Sequence, residues 1–412
     1  MIATELAVFG LVYLGMMGGG LPFLRLDRTG VALLGAIALV AVEAVTPAEA
    51  AAAVHLPTIV MLFSFMVISA HLQLSGFYGW VTAWLAKLPL SEPALLAVLM
   101  AAAALLSAVF SNDIVCLTMA PILAKATVRR DSEPVPFLLG LACAANIGSA
   151  STLIGNPQNM LIGSTLRLSF SRYFLQAAAP VATGLVLTWL ILVAITRGRW
   201  GKPARAGLCS EPQGDDVPHL DVWQTTKGLG LTVALLVVFL VAPWPREVAS
   251  LTVAGLLLMS RSMHSRQKLG LVDWELLVLF VGLFVVNHAL QATGIPARWV
   301  ASLAASGLDV ARPAPLFVTT FVLSNLVSNV PAVMLLLPVA THPSAGPLLA
   351  LVSTLAGNLL IVGSIANIIV VDAAAQQGIR IGWRSHARVG IPVTVATLAS
   401  AAFFLWWRTG NG

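Results

Sequence analysis

Charge is scarce in this chain: Asp, Glu, Lys and Arg make up 10% of its 412 residues, whereas 58% are hydrophobic. A soluble protein carries charge at roughly 25% of its positions, so the composition predicts a polytopic membrane protein instead. A mean hydropathy of +0.91 agrees with this prediction. The net charge of +6 is scattered between apolar stretches rather than clustered on one face. We therefore expect no nucleic acid partner.

Cysteine and nucleotide-binding motifs are also largely missing. The three cysteines, Cys116, Cys143 and Cys209, lack the spacing of a zinc site or a disulfide framework. No Gly-x-x-x-x-Gly-Lys-Ser/Thr loop occurs, which argues against direct ATP-driven transport by this chain alone. We expect no enzyme activity and no cofactor beyond a bound Na⁺ or a coupled H⁺.

One short polar motif occurs twice within apolar sequence. Ser107-Ala-Val-Phe-Ser-Asn-Asp113 returns in the second half of the chain as Ser324-Asn-Leu-Val-Ser-Asn-Val330. The apolar stretches that contain the motif, 92–126 and 312–340, are each too long for one membrane crossing. We interpret each stretch as a re-entrant hairpin with the motif at its tip. Two complete crossings per stretch are the alternative.

The distribution of basic residues favours the hairpins. With two hairpins, most of the 23 Lys and Arg residues share one side of the membrane. The positive-inside rule then places these residues in the cytoplasm of a bacterial-type inner membrane. The polar linker 197–227 lies on the same side, and both termini lie outside. Full crossings would instead set several basic clusters on opposite sides.

The predicted fold class is an all-α polytopic membrane protein with two inverted repeats, about 10 transmembrane helices and two re-entrant helical hairpins. Repeat 1 covers residues 1–196, with its hairpin at 92–126 and a broken helix at 136–160. Repeat 2 covers residues 228–412, with its hairpin at 312–340 and a broken helix at 346–370. The linker 197–227 joins the two repeats.

The broken helices are predicted from glycine, proline and polar residues inside apolar segments. Gly148–Asn159 reads GSASTLIGNPQN, and it aligns without a gap with Ala356–Asn367. Unwound backbone at membrane depth is tolerated only where protein or a wet cavity surrounds it. Its carbonyl groups can coordinate a cation, and the N–H groups of the following half-helix attract an anion. Close packing of helices through small residues is the alternative.

The candidate site residues are hydroxyl, amide, acidic and glycine residues at the hairpin tips and helix breaks. Substrate binding is predicted for Ser111, Asn112, Asp113, Thr152, Asn156, Ser328, Asn329 and Asn358. Binding of the coupling ion is predicted for Ser107, Ser111, Asn112, Asp113, Gly155, Ser324, Asn329 and Gly363. Such oxygen ligands suit a hard cation, so Na⁺ is the one metal ion expected.

Two alternatives apply to these residues. The serines can bond to their own helices while the asparagines cap the tips. Asp113 can carry a proton, offset a bound cation or be a paired structural residue, and Val330 takes its place in the second copy.

In these motifs the chain resembles the ion transporter superfamily, which includes arsenite permeases, sodium/dicarboxylate symporters, citrate transporters and a sodium/proton antiporter branch. The resemblance is carried by Arg25–Arg28, Ser111–Asp113, Thr152–Asn159, Asp273–Glu275 and Ser328–Pro331. It implies inverted repeats, re-entrant hairpins and an elevator-type motion. The dicarboxylate branch has Ser-Asn-Thr at both tips. Asn112-Asp113 is closer to the arsenite permease pattern, for which proton coupling is expected.

The sequence therefore predicts a secondary active transporter for a small anion or oxyanion, coupled to H⁺ or Na⁺. The substrate would be arsenite-like, a carboxylate or an inorganic anion. A Na⁺/H⁺ antiporter without an anion substrate is the alternative, and a channel is the third class. The expected partners are the substrate, the coupling cation and the lipid bilayer, and a homodimer is left open.

Overall fold

The computed structural model describes residues 2–21, 25–201, 219–307 and 309–410. Cys209 and the central part of the predicted linker, 202–218, lie outside these described residues. The described chain consists of helices and their connections, with two short antiparallel strands, β1 (Gly20–Leu21) and β2 (Leu26–Asp27). An all-α fold is thereby confirmed.

The helices of the first half are α1 Ile2–Gly18, α2 Arg28–Ala41, α3 Pro47–Ala53, α4 Leu56–Leu74, α5 Phe77–Ala86, α6 Glu92–Val109, α7 Asn112–Arg129, α8 Pro134–Ser149, α9 Pro157–Thr165 and α10 Phe170–Thr196. Those of the second half are α11 Val222–Val241, α12 Arg246–Leu258, α13 Ser265–Leu269, α14 Trp274–Ala292, α15 Ile295–Ala305, α16 Pro313–Val327, α17 Asn329–Leu336, α18 Ala345–Ala356, α19 Ile365–Gln376 and α20 Trp383–Gly410. Short 3₁₀ turns follow at Leu337–Val339 and Ile361–Gly363.

Six of the described helices are long and apolar enough to cross a membrane: α4, α6, α10, α11, α14 and α20. Shorter apolar helices of 10–17 residues include α8, α16, α18 and α19. At a rise of about 1.5 Å per residue, these helices fall short of the ~30 Å hydrocarbon layer. Helices α8 and α9 flank the irregular segment 150–156, and α18 and α19 flank the segment 357–364.

Three short helices, α3, α5 and α15, begin where the local sequence favours a helix start. Thr46 caps α3: its Oγ1 accepts from Glu49 N, and the Glu49 carboxylate accepts from Thr46 N. Helix α5 begins directly after Gly76 (φ +80°) and α15 directly after Gly294 (φ +69°). A side chain at Gly76 would also collide with the carbonyl oxygen of His219.

Helices of the two halves pack reciprocally. Helix α4 of the first half packs on α12 and also contacts α11, both of the second half. In the same way, α14 of the second half packs on α2 and contacts α1, both of the first half. Likewise α7 contacts α19 as α17 contacts α9, and α10 packs along its counterpart α20. We call α1, α2, α4, α11, α12 and α14 the scaffold group. We call α6–α10 with α16–α20 the junction group, because both helix breaks lie in it.

Candidate functional site

The side chain of Asn159 holds part of the backbone of the first helix break, 150–156. Asn159 Nδ2 donates to the carbonyl oxygen of Thr152 over 2.9 Å and lies 3.5 Å from that of Ser149. Helix α9 then starts at Pro157, where the missing N–H costs nothing. Asn156 caps this helix by accepting from Asn159 N over 2.9 Å.

The second break, 357–364, has the same construction. Asn367 Nδ2 donates to the carbonyl oxygens of Gly357 (2.8 Å) and Leu360 (3.0 Å). In the ungapped alignment of Gly148–Asn159 with Ala356–Asn367, this donor and both of its acceptors are equivalent to those of the first break. The two breaks therefore share one backbone arrangement.

Asn146, in the last turn of α8, connects the halves. Its Nδ2 donates to Asn358 Oδ1 (2.9 Å) and Asn367 Oδ1 (3.2 Å). Its Oδ1 accepts from Asn112 Nδ2 (3.0 Å) and Ser364 Oγ (2.9 Å). Asn146 is 1% exposed. All four hydrogen-bonding positions of this buried amide are thus filled, which removes the penalty of burying it.

Thr354 of α18, in the second half, makes the corresponding contacts with residues at the first break. Its Oγ1 donates to Asn159 Oδ1 over 3.4 Å and accepts from Asn156 Nδ2 (3.2 Å) and Gln158 Nε2 (3.3 Å). Thr354 and Asn146 correspond when the alignment of the breaks is extended back along their helices. Two-fold exchange of the halves therefore maps two of these bonds onto each other: Asn146–Asn367 onto Thr354–Asn159, and Asn146–Ser364 onto Thr354–Asn156. We call this network the junction.

The connection between α6 and α7 lies against the first break. Asn112 N lies 3.3 Å from Gly155 O, and Thr152 Oγ1 donates to the carbonyl oxygen of Ala108. A Cβ atom at Gly155 would come within 2.6 Å of the carbonyl oxygen of Ser107. This close contact between backbones explains why glycine is needed there.

The connection between α16 and α17 lies against the second break. Asn329 Nδ2 lies 3.2 Å and Asn325 Oδ1 3.5 Å from the positions that a Cβ atom would take on Gly357 and Gly363, respectively. Ser328, between the two helices, has φ +78° and ψ 161°. That region is strained for any residue except glycine. Both repeated motifs therefore contact helix breaks, each in its own half.

Several buried polar atoms at these contacts have no hydrogen-bond partner among the described residues. They are Ser107 Oγ, Asn112 Oδ1, Ser324 Oγ, Asn325 Oδ1, Asn329 Oδ1 and Asn358 Nδ2. Buried polar atoms are nearly always satisfied in proteins, so such a cluster is typical of a site that receives a ligand or water. Five of the six atoms are oxygens, which suit a cation or a hydrogen-bond donor.

The predicted site residues divide into two kinds. The side-chain groups of Thr152 and Asn156 are used within the junction, whereas Ser107, Asn112, Ser324, Asn329 and Asn358 each keep an unpartnered atom. Ser111 and Ser328 are half-buried at the starts of α7 and α17. Gly155 and Gly363 lie in the breaks.

Asp113 is half-buried in the first turn of α7. It makes no hydrogen bond or ion pair with the part of the chain that the structure describes. The positive end of the α7 dipole favours an anion there. The basic residues within α6–α9 and α16–α19 are Lys125 and Arg129, in the last two turns of α7. The junction is thus a polar site with one carboxyl group and no nearby cationic side chain from these helices.

Seven residues of the site were missed by sequence reasoning: Asn146, Gln158, Asn159, Asn325, Thr354, Ser364 and Asn367. Asn367 ended the aligned segment that indicated the second break, so a signal for it was present. Asn146 and Thr354 lie within regular helical sequence and act across the halves. Asn325 takes the position of Ala108, so the repeated pattern gives no sign of it.

Comparisons with known proteins agree with this architecture. The model of the citrate transporter family matches residues 12–356. The chain is 27% identical to the silicon efflux transporter LSI3 of Oryza sativa subsp. japonica, covering 95% of both proteins. It is 32% identical to the inner membrane protein YbiR of Escherichia coli, covering 81% of this chain and 84% of that protein.

A solved structure shows the same fold. The crystal structure of the YdaH transporter of Alcanivorax borkumensis superimposes with a TM-score of 0.55 at 16% sequence identity, covering 85% of each chain. The family match and these relatives identify a transporter rather than an enzyme. This protein therefore belongs to the citrate transporter family, within the ion transporter superfamily that its motifs indicate, and is a multi-pass membrane transporter.

Proposed function

We propose that this protein is a secondary active transporter that moves a small anion or oxyacid, coupled to H⁺ or Na⁺. The observation that carries the proposal is the set of five buried oxygens without partners, distributed over two motifs that contact two equivalent helix breaks. A site assembled from two repeats near the membrane midplane is the usual arrangement in transporters with inverted repeats.

The chemistry of these oxygens restricts how a substrate is held. Hydroxyl and amide oxygens accept hydrogen bonds. The basic residues of α6–α9 and α16–α19 are Lys125 and Arg129, which lie in the last two turns of α7, away from these oxygens. A weak oxyacid such as silicic or arsenious acid supplies its own O–H donors. A carboxylate such as citrate requires a co-bound cation in the oxygen cluster, together with the N–H groups that begin α9 and α19. The family and the rice relative make both classes worth testing.

Asp113 is the proposed coupling group. It is the one acidic residue in the two motifs, and it begins a helix beside the first oxygen cluster. A carboxyl group at this depth either binds a proton or balances a cation. If Asp113 binds a proton, transport is coupled to H⁺; if it balances a cation, transport is coupled to Na⁺.

The proposed transport step is an elevator-type movement of the junction group against the scaffold group. Hydrogen bonds between the described residues of these groups include three: Thr58 Oγ1 lies 2.8 Å from Ser164 Oγ, Arg246 Nη2 donates to the carbonyl oxygen of Leu168, and Asn287 Nδ2 donates to Met334 Sδ over 3.8 Å. Bonds of this kind must break when the groups slide. In the proposed orientation, residues 197–227 face the cytoplasm and both termini lie outside.

A Na⁺/H⁺ antiporter is the second candidate. Oxygen clusters with one acidic residue and no basic partner would equally serve two cations that exchange across the membrane.

Uptake into proteoliposomes separates the two candidates. Citrate, arsenite and silicic acid are supplied under a proton gradient alone or a sodium gradient alone, while internal pH is recorded. Accumulation of one solute driven by one gradient supports the proposal. Sodium-driven proton movement that is unaffected by every solute would instead favour the antiporter.

A further inference from the structure

Tyr173 fixes one carbonyl group of the first helix break. Its phenolic oxygen donates to the carbonyl oxygen of Ala150 over 2.6 Å and accepts from Asn159 Nδ2 over 3.3 Å. Tyr173 is the fourth residue of α10 and is 2% exposed. Ala150 directly follows α8, where a helix leaves carbonyl groups without partners.

His386 fixes the equivalent carbonyl group of the second break. Its Nε2 lies 3.2 Å from the carbonyl oxygen of Asn358, just after the end of α18. Because a carbonyl only accepts, Nε2 carries the hydrogen in this contact. His386 is the fourth residue of α20 and is 2% exposed.

The two contacts are equivalent. Ala150 and Asn358 occupy the same position in the ungapped alignment of the breaks, and the donors occupy the same position in α10 and α20. The donor side chains differ in chemistry, so identity of sequence could not have revealed the match. Because two different residue types bind equivalent carbonyl groups, we infer that the fold requires a hydrogen-bond donor at this position of each break.

We propose that Tyr173 and His386 are equivalent positioning residues, each of which sets the direction of a carbonyl group in one helix break and thereby shapes the substrate site. Neither residue makes a hydrogen bond with the unpartnered oxygens of the junction. Each ties a break to the long helix on which it rests, so that break and helix move together. The effect on substrate affinity rests on the proposed function, whereas the effect on the break does not.

Gly390 supports the proposal independently. It lies one turn after His386 on α20, and a Cβ atom there would come within 2.5 Å of the carbonyl oxygen of Asn358 and 3.0 Å of His386 Nε2. The absence of a side chain at Gly390 therefore permits the contact. Ala177, the corresponding residue of α10, is fully buried, and its side chain is a single methyl group.

The contacts also differ in one respect. The Tyr173 hydroxyl group both donates and accepts, whereas Nδ1 of His386 is buried without a partner among the described residues. Asn358 Nδ2 is likewise without one. The second break is therefore held by fewer bonds than the first, and loss of its donor should have the larger effect.

Hydrogen exchange of the full chain in lipid nanodiscs, without any solute, tests the positioning role. The variants are His386→Met, His386→Gln, Tyr173→Phe and Gly390→Ala, with Gly255→Ala as control, because nothing lies within 4 Å of a Cβ atom there. Loss of one buried hydrogen bond should speed local amide exchange by about tenfold. We expect this acceleration in 357–364 for His386→Met and Gly390→Ala, and a smaller acceleration in 150–156 for Tyr173→Phe.

His386→Gln restores a donor at the position of Nε2 and should retain the slow exchange. The same variants are then assayed for uptake of whichever of citrate, arsenite and silicic acid is transported fastest. We expect KM to rise about tenfold in His386→Met and to return toward wild type in His386→Gln, with Vmax little changed.

Unchanged exchange of 357–364 in both His386→Met and Gly390→Ala would overturn the inference. Equal acceleration of both breaks in one variant would do the same, since it indicates general destabilisation. Faster amide exchange with an unchanged KM would support the positioning of the break by these residues. It would contradict the proposed substrate site instead.

Discussion

Asn146 and Asn367 lie in different halves of the chain, and the side-chain amide of Asn146 donates to Oδ1 of Asn367 over 3.2 Å. Exchange of the halves turns this pair into Thr354 and Asn159, which are also bonded, over 3.4 Å. The same two asparagines, Asn159 and Asn367, hold the backbone of their own breaks. Each of these asparagines therefore links the backbone of its own break to a side chain of the other half.

The first prediction concerns Gly155. Its Cβ position lies 2.4 Å from the carbonyl oxygen of Ser149, so Gly155→Ala must push two backbone segments apart. We expect a loss of about 1–3 kcal/mol in stability and a nearly complete loss of uptake. Thermal unfolding in detergent and uptake in proteoliposomes measure the two effects. Gly255→Ala, in open space, should behave like wild type; equal effects of the two variants would refute the steric argument.

The second prediction concerns the strained backbone of Ser328. Glycine adopts φ +78° freely, so Ser328→Gly should stabilise the protein by about 1 kcal/mol. Ser111, its counterpart, has φ −57°. Ser111→Gly relieves no strain and should destabilise by about 0.5–1 kcal/mol. Unfolding temperatures of both variants in the same detergent give the comparison, and a shift of the same sign in both would show that Ser328 is not strained.

The third prediction concerns coupling. If Asp113 carries the proton, Asp113→Asn should abolish the response of uptake to an imposed proton gradient while solute exchange at equal pH continues. Asp372→Asn, an exposed acid on α19, is the matched control and should keep the response. A proton-driven uptake that survives in Asp113→Asn would exclude this residue from coupling.

The fourth prediction concerns the contacts between the scaffold group and the junction group. Arg246→Gln removes the bond to Leu168 and should shift the conformational equilibrium away from the observed arrangement by about fivefold. Spin labels at the exposed positions Trp244 and Arg167, with Cys209→Ser, report the distance between the groups. An unchanged distance distribution would argue against a sliding movement at this contact.

Much of the architecture could be predicted because it depends on local sequence. Pro157 and the glycines of 148–155 cannot continue a helix, and Asn156 is a typical N-cap residue, so the first break is visible in the sequence. The repeated Ser-x-x-x-Ser-Asn motif likewise marks the connections between α6 and α7 and between α16 and α17. The second break lacks a proline and was found only through its alignment with the first.

The bonds between the halves could not be predicted. Asn146 and Thr354 differ in residue type and lie inside helices, so nothing local marks them as partners. The same holds for Tyr173 and His386, which bind equivalent carbonyl groups with different chemistry. Such roles depend on the packing of distant segments, which periodicity and composition do not encode.

The most direct test of the two-tip site removes only oxygens that lack partners. Ser107→Ala with Ser324→Ala deletes two such hydroxyl groups and leaves every described hydrogen bond of the junction intact. Ser400→Ala deletes a buried, unpartnered hydroxyl group elsewhere, on α20, and serves as control. Gradient-driven uptake in proteoliposomes should fall at least about tenfold in the double variant at unchanged unfolding temperature, and remain near wild type in the control. Uptake by the double variant that equals wild type would contradict a substrate or ion site between the two tips.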